Sequence, residues 1–330
     1  MKKIIVGLII CTLMLPMVPL AESGGGNEPI RAASFRFEEI SVNTAGEWLQ
    51  VTVDDCKTLQ QEGKPMLPYG KHTMTFPLGT RINDVKVKGS GVETRYLNAK
   101  VAPAAKPVPL NMQPAELIQE EGPIYESSGL YPADWVQWRT GAGLYNNEHV
   151  TFLTLQAFPA RYAPQDNLLY SVDNIEVTVT YEEPSHPLLT ADTYDLLIIT
   201  PQEFTDALQP LVQHKEDNGM ATQLTTLDEI YNGDYFPAEG RDDSEQVKYF
   251  IRNALEDWGI SYVLMVGDAD IFPTRFVVSD AIDGSFPSDL YYADIYRANG
   301  SFAVWDEDCD DTFGERIDDD VDIYPDVSVG

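Results

Sequence analysis

Cysteine, histidine and basic residues are all scarce in this chain. Among 330 residues there are 3 Cys and 4 His, and 22 Lys and Arg face 53 Asp and Glu. So few cysteines exclude a disulfide framework. Cys11 lies in the N-terminal leader, and the remaining Cys56 and Cys309 are compatible with one bridge or with two free thiols. A net charge of −31 leaves no basic patch to neutralise phosphates, which excludes nucleic acid as a partner. Long apolar runs are missing as well. The one candidate, Ile4 to Leu15, is short against the roughly 20 residues of a membrane span and is followed by Pro16 and Pro19.

That run has another meaning. Lys2 and Lys3 precede it, and Ala21 and Ser23 follow it at the small-x-small spacing of a signal cleavage site. Residues 1–23 therefore read as a signal peptide and residues 24–34, opened by Gly24-Gly25-Gly26, as a flexible mature N-terminus. The expected location is secreted or cell surface, with no transmembrane segment beyond the signal. About 300 residues remain, enough for two domains of about 150 each. Hydrophobic residues at 43% and aromatics at 11% can fill two cores.

Residues 35–181 carry the period-2 pattern of strands. Leu49–Val53, Ile82–Val87, Thr151–Leu155 and Ile175–Thr180 alternate, separated by turn residues such as Gly89-Ser90-Gly91. The pattern predicts an antiparallel, β-sandwich-like domain with one solvated face. The proline-rich stretch Ala102 to Pro123 predicts an extended surface crossing. Residues 182–191, with Glu182, Glu183, Pro184 and Pro187, read as a solvated linker open to proteolysis.

Residues 192–330 change to an α/β pattern. A strand at Tyr194–Ile199 leads into a helix opened by Thr200 and Pro201, with Phe204, Ala207, Leu208, Leu211 and Val212 as its stripe. Ala221–Leu224 is the next strand. Ser244 caps a helix whose stripe is Val247, Phe250, Ile251, Ala254, Leu255 and Trp258, and Gly259 ends it. The apolar run Tyr262–Val266 predicts a strand buried on both faces. It stops at Gly267-Asp268-Ala269-Asp270, placing polar groups at the carboxyl edge of a mainly parallel sheet, where such sheets build sites. Asp268 is expected to fix that loop through backbone hydrogen bonds. Val327–Gly330 reads as a further strand.

Several blocks carry a resemblance. Val-Gly-Asp-Ala-Asp-Ile-Phe-Pro-Thr-Arg (266–275), Pro-Ser-Asp-Leu-Tyr-Tyr-Ala-Asp (287–294) and Asp-Ile-Tyr-Pro-Asp-Val-Ser-Val-Gly (322–330) resemble successive blocks of the gingipain family of secreted cysteine peptidases. Thr193–Pro201 resembles the first strand of that catalytic domain. Gly63–Pro68 and Glu148–Leu153 resemble blocks of its propeptide. The resemblance implies a β-rich propeptide followed by a caspase-like α/β peptidase domain that is incomplete at the C-terminus. The family's catalytic His and Cys fall downstream of the last block. It implies a protein or peptide substrate, and a propeptide that packs on the catalytic domain, assists folding and restrains activity until cut away. Asp289 falls in a block that lines the substrate pocket in some gingipain-like enzymes, where a carboxylate suits a basic side chain.

The chain itself offers no catalytic pair. His72 and His149 belong to the β domain, His186 to the linker and His214 to the polar end of a helix. Cys309 stands among Asp306, Glu307, Asp308, Asp310 and Asp311, which oppose formation of an anionic nucleophile. That segment reads instead as a Ca2+ loop with Asp306, Asp308 and Asp310 as ligands and Gly314 and Glu315 following. It departs from the EF-hand pattern, with Asp311 at the sixth position and Ile317 at the twelfth. Asp318, Asp319, Asp320 and Asp322 are close enough in sequence to add oxygens. The rival reading is an exported, non-catalytic calcium-binding adhesion module or a degenerate peptidase homologue.

Overall fold

Alternating strands need a second apolar face to cover them, and here two sheets cover each other. The computed structural model describes residues 29–107, 119–185, 188, 193–279, 282–315 and 318–330. The expected signal peptide and half of the linker lie outside those residues. Strands Ile30–Arg36, Asn174–Glu182 and Arg81–Ser90 form one antiparallel sheet in that order. Strands Lys57–Thr58, Pro68–Pro77, Glu148–Ala157 and Val136–Tyr145 form the other. Phe35, Ile175, Val177 and Val179 of the first interleave with Met74, Phe76, Leu153 and Leu155 of the second, the packing of a sandwich. A smaller core around Leu49, Val51, Leu67, Val101, Tyr162 and Leu169 extends it.

Three expectations for this half are corrected. The segment 30–34 is not flexible: it is laddered from Ile30 opposite Thr180 to Arg36 opposite Asn174, and Phe35 anchors it in the core. The start of the Pro-rich stretch is not on the surface either. Val101, Ala102 and Ala104 are buried and Val101 bridges Leu49, while residues 108–118 lie outside the described ones. Nor is the outer face of Glu148–Ala157 solvated. Phe152 and Thr154 are buried on it because Tyr324 from the second half of the chain covers them.

In that second half, strands Thr222–Thr226, Leu196–Thr200, Tyr262–Met265 and Ser328–Val329 lie parallel in this order. The helices are α1 (Thr205–Asp217), α2 (Leu227–Asn232), α3 (Asp243–Trp258) and α4 (Leu290–Ala293). The stripe of α3 is buried as predicted from Val247 to Leu255, and Gly259 ends it at φ 80°. Its cap, however, is Asp242, whose carboxylate accepts the Glu245 N–H at 2.8 Å; Ser244 is already inside the helix. Helix α1 starts later than predicted, after a 3-10 turn at Gln202–Phe204. Thr200 cannot cap it, being paired with Thr226 in the sheet and buried. None of its residues is fully buried. Helix α2 was not predicted, although Thr226 and Glu229 form a reciprocal capping box and Gly233 ends it at φ 72°.

The strand buried throughout is Leu196–Thr200, enclosed by full-length neighbours on both edges. Tyr262–Met265 is less enclosed than its composition predicts. Among the described residues only Ser328–Val329 flanks its far edge, and Tyr262 is 42% exposed. The two halves share a core: Leu78 and Ala142 of the β domain pack into the cluster that holds Leu197, Ile199 and the stripe of α3. No helix among the described residues is long and apolar enough to cross a membrane.

Candidate functional site

At the carboxyl ends of the parallel strands lies a cavity of about 610 Å³, lined by Pro201, Leu227, Asp228, Asp243, Asp270 and Phe272 among others. The Gly267–Asp270 loop forms one wall. Gly267 has φ 141°, and a Cβ on it would meet the Phe272 Cβ at 3.1 Å, so a glycine is required where the loop folds back. Asp268 does what its position predicts. Its carboxylate accepts the Asp270 N–H at 3.1 Å, and its carbonyl accepts those of Ile271 and Phe272 at 3.1 and 2.8 Å. Asp228, Asp243 and Asp270 give the mouth a negative rim suited to a cationic group.

Asp289 immediately precedes α4. Its side chain is exposed and makes no capping bond, while its carbonyl accepts the Tyr292 N–H at 3.0 Å. The block behind it is rigid. Tyr291 and Tyr292 are buried, and the Arg275 guanidinium lies 3.8 Å from the Phe313 ring centroid and bonds Asp242 at 2.7 Å. Asp326 ties the block to the fourth strand: one carboxylate oxygen accepts the N–H groups of Ile295 and Tyr296, each at 2.7 Å.

Beneath α4 sits a group that sequence reasoning missed. Lys248 is fully buried, donates to the Ala303 carbonyl and lies 4.3 Å from the Tyr291 ring centroid. Burial pushes its ammonium down to about 7. Nearby Asp294 accepts the Trp305 indole N–H at 2.8 Å, and burial pushes its carboxyl up to about 7. One oxygen each of Asp294 and Asp326 is buried without a protein partner. The available signal was positional: on α3, Lys248 falls three and seven residues before Ile251 and Leu255, on the apolar face.

The acidic loop distributes its predicted ligands over two groups. Asp306, Asp308 and Asp319 bring one oxygen each within 4.8 Å of one another, and Asp308, Asp310 and Glu315 do likewise. Asp308 belongs to both. Asp306 is buried and engaged by Arg241 at 2.6 Å and by the Asp310 N–H at 3.0 Å. Both described thiols are free. Cys309 Sγ lies 3.9 Å from the Glu307 carbonyl, and burial, then Asp55, pushes the Cys56 thiol up. The described histidines are engaged elsewhere: His149 with the Asp326 carbonyl, His214 with Asn218, and His72 against the Phe35 ring. No thiol–imidazole pair stands among the described residues.

Fold and site together define an α/β unit with an acidic strand-end cavity and a β-sandwich packed onto it. Residues 189–330 match the family model described as Peptidase family C25, and residues 21–202 match that of Propeptide_C25. The chain therefore belongs to this family of cysteine peptidases, the gingipains, its first part matching the propeptide and its second part the peptidase. Among solved structures it is similar to the complex of Porphyromonas gingivalis RgpB pro- and mature domains. That likeness has 16% identity and a TM-score of 0.40, over 57% of this chain and 93% of that one. It is also similar to gingipain K from Porphyromonas gingivalis, in a structure addressing zymogenic latency. There the identity is 21% and the TM-score 0.41, over 47% of this chain and 88% of that one. No curated protein matches.

Proposed function

We propose that this chain is the propeptide and first portion of the caspase-like catalytic domain of an exported cysteine endopeptidase precursor. The observation that carries the reading is the succession of the two family matches along the chain. In the complete enzyme a thiolate adds to the peptide carbonyl and the imidazolium returns its proton to the leaving amine. The described thiols and imidazoles form no such pair. Asp289 is exposed beside a rigid block and would meet a basic substrate side chain. The β domain would restrain activity until cut away at the linker. A non-catalytic adhesion role is not favoured, since both matches are to parts of a peptidase.

The test is turnover of a peptide library by this 330-residue chain and by a longer precursor carrying a downstream His and Cys. Turnover is expected only from the longer one, and only after linker cleavage. Turnover by the 330-residue chain that Cys309→Ala abolishes would overturn the assignment.

The acidic loop is proposed to hold a structural Ca2+ through Asp308 with Asp306 or Asp310. An ion that binds only the folded state stabilises it by about 2.7 kcal/mol at a hundredfold excess over Kd. A higher melting temperature in Ca2+ than in chelator is expected, and Asp308→Asn should remove the difference because it breaks both groups. Melting that ignores millimolar Ca2+ counts against the site.

A further inference from the structure

The outer face of the strands Val136–Tyr145 and Glu148–Ala157 is covered by five residues of the other half, Asp322-Ile323-Tyr324-Pro325-Asp326. They lie on it as a peptide lies in a groove. The Asp322 carboxylate accepts the Ala142 N–H at 2.7 Å, the Pro325 carbonyl accepts that of Leu144 at 3.0 Å, and the Asp326 carbonyl accepts from His149 Nε2 at 2.9 Å. Burial pushes the His149 imidazole down. Between these bonds the Tyr324 ring packs on Phe152, with centroids 5.1 Å apart, and its hydroxyl lies 3.4 Å from Arg139 Nη2. Ile323, at 57% exposed, points away.

The floor of the groove is cut by two glycines. A Cβ on Gly141 would fall 2.4 Å from Tyr324 Cδ2, and one on Gly143 would fall 3.0 Å from the Pro325 carbonyl oxygen. Neither glycine has a positive φ, so the backbone path suits any residue. Glycine weakens a strand interior, and its use twice in three residues is accounted for by the close approach of this segment. The elements of selection are then explicit. One oxygen of the Asp322 carboxylate takes a backbone N–H of the groove and the other takes the Tyr324 N–H, an aromatic ring fills the notch, and the intervening Ile323 turns the chain at φ 59°.

We propose that this face of the β domain is a peptide-recognition groove for a turned Asp-x-Tyr-Pro segment. It is filled in cis by residues 322–326, and it holds the β domain in place once the linker is cut. The Thr151 hydroxyl adds a second tie, donating to the Ala298 carbonyl at 2.7 Å and accepting the Gly79 N–H at 3.1 Å. The inference concerns binding alone, so its failure would leave the peptidase reading standing.

The experiment uses the full chain with a specific protease site inserted between residues 186 and 192. After nicking, the two fragments should co-elute on gel filtration. Tyr324→Ala should weaken their association by roughly 30-fold, the loss usual for a truncated aromatic at the centre of an interface. Gly143→Val should weaken it comparably by filling the floor. The deciding arm uses the unaltered nicked chain, in enough urea to release half of the β fragment. A synthetic peptide of residues 320–328 should raise the free fraction, and the same peptide with Ala in place of Tyr324 should not. Equal effects of the two peptides, or no effect of either, would overturn the proposal. So would fragments that separate at once on nicking.

Discussion

Lys248→Met is expected to lower the unfolding free energy by about 3–5 kcal/mol at neutral pH, the cost of breaking a buried charge pair from one side. Lys248 has no exposed surface, and its methylenes and ammonium are enclosed by Tyr291, Phe302 and Trp305. Methionine keeps much of that packing but removes the buried cation that, ahead of Arg297, attracts Asp294 and so opposes the effect of burial on that carboxylate. The double variant Lys248→Met/Asp294→Asn should recover most of the loss, because the uncompensated charge goes with its partner. Urea denaturation of the four proteins gives the coupling directly.

The same pair sets a pH dependence. The Asp294 carboxyl rises from 3.8 to about 7, so the fold binds its proton more tightly than the unfolded chain does, and stability falls as pH rises across that interval. The Lys248 ammonium drops from 10.5 to about 7, so the unfolded chain binds more protons above neutrality, and stability from this group rises with pH there. The two slopes meet near neutral pH, where their joint contribution is lowest. Both should vanish in the double variant. Melting curves from pH 4 to 10 that are parallel for the wild-type and double-variant chains would refute this.

What was legible in the sequence follows the range of the interactions involved. The α3 stripe, Gly259 and the strand at Val327–Gly330 are local patterns, and all three are present. The sandwich was legible because alternation in Thr151–Leu155 and Ile175–Thr180 is a one-strand property. The α2 capping box was equally local and was overlooked. The remaining differences are non-local. Thr154 looks like an outward residue until residue 324 arrives to cover it. Arg31 to Ser34 carry little apolar signal, and their strand exists because Asn174–Glu182 offers an open edge. The acidic loop was legible as a cluster, but Arg241, distant in sequence, decides that Asp306 has an ion-pair partner inside the protein.

Asp326 separates hydrogen bonding from charge. Asp326→Ala should cost about 2–6 kcal/mol, because the buried N–H groups of Ile295 and Tyr296 lose their shared acceptor and each unsatisfied group costs about 1–3 kcal/mol. Asp326→Asn keeps an oxygen for both donors and places an amide where the wild-type carboxylate oxygen has no protein partner. Its loss at pH 5 should therefore be under about 1 kcal/mol, within the range of a neutral exchange of hydrogen-bonding groups. Burial pushes the Asp326 carboxyl well above the usual carboxylate range, so the wild-type fold loses stability as pH rises from about 4, whereas the asparagine variant has no proton to lose. The variant's stability relative to wild type should consequently improve between pH 5 and pH 8. Hydrogen exchange supplies the local check: the Ile295 and Tyr296 amides should lose protection in the alanine variant and keep it in the asparagine one. Equal losses of stability in the two variants would mean that Asp326 acts by filling space rather than by holding the Asp289 block to the fourth strand.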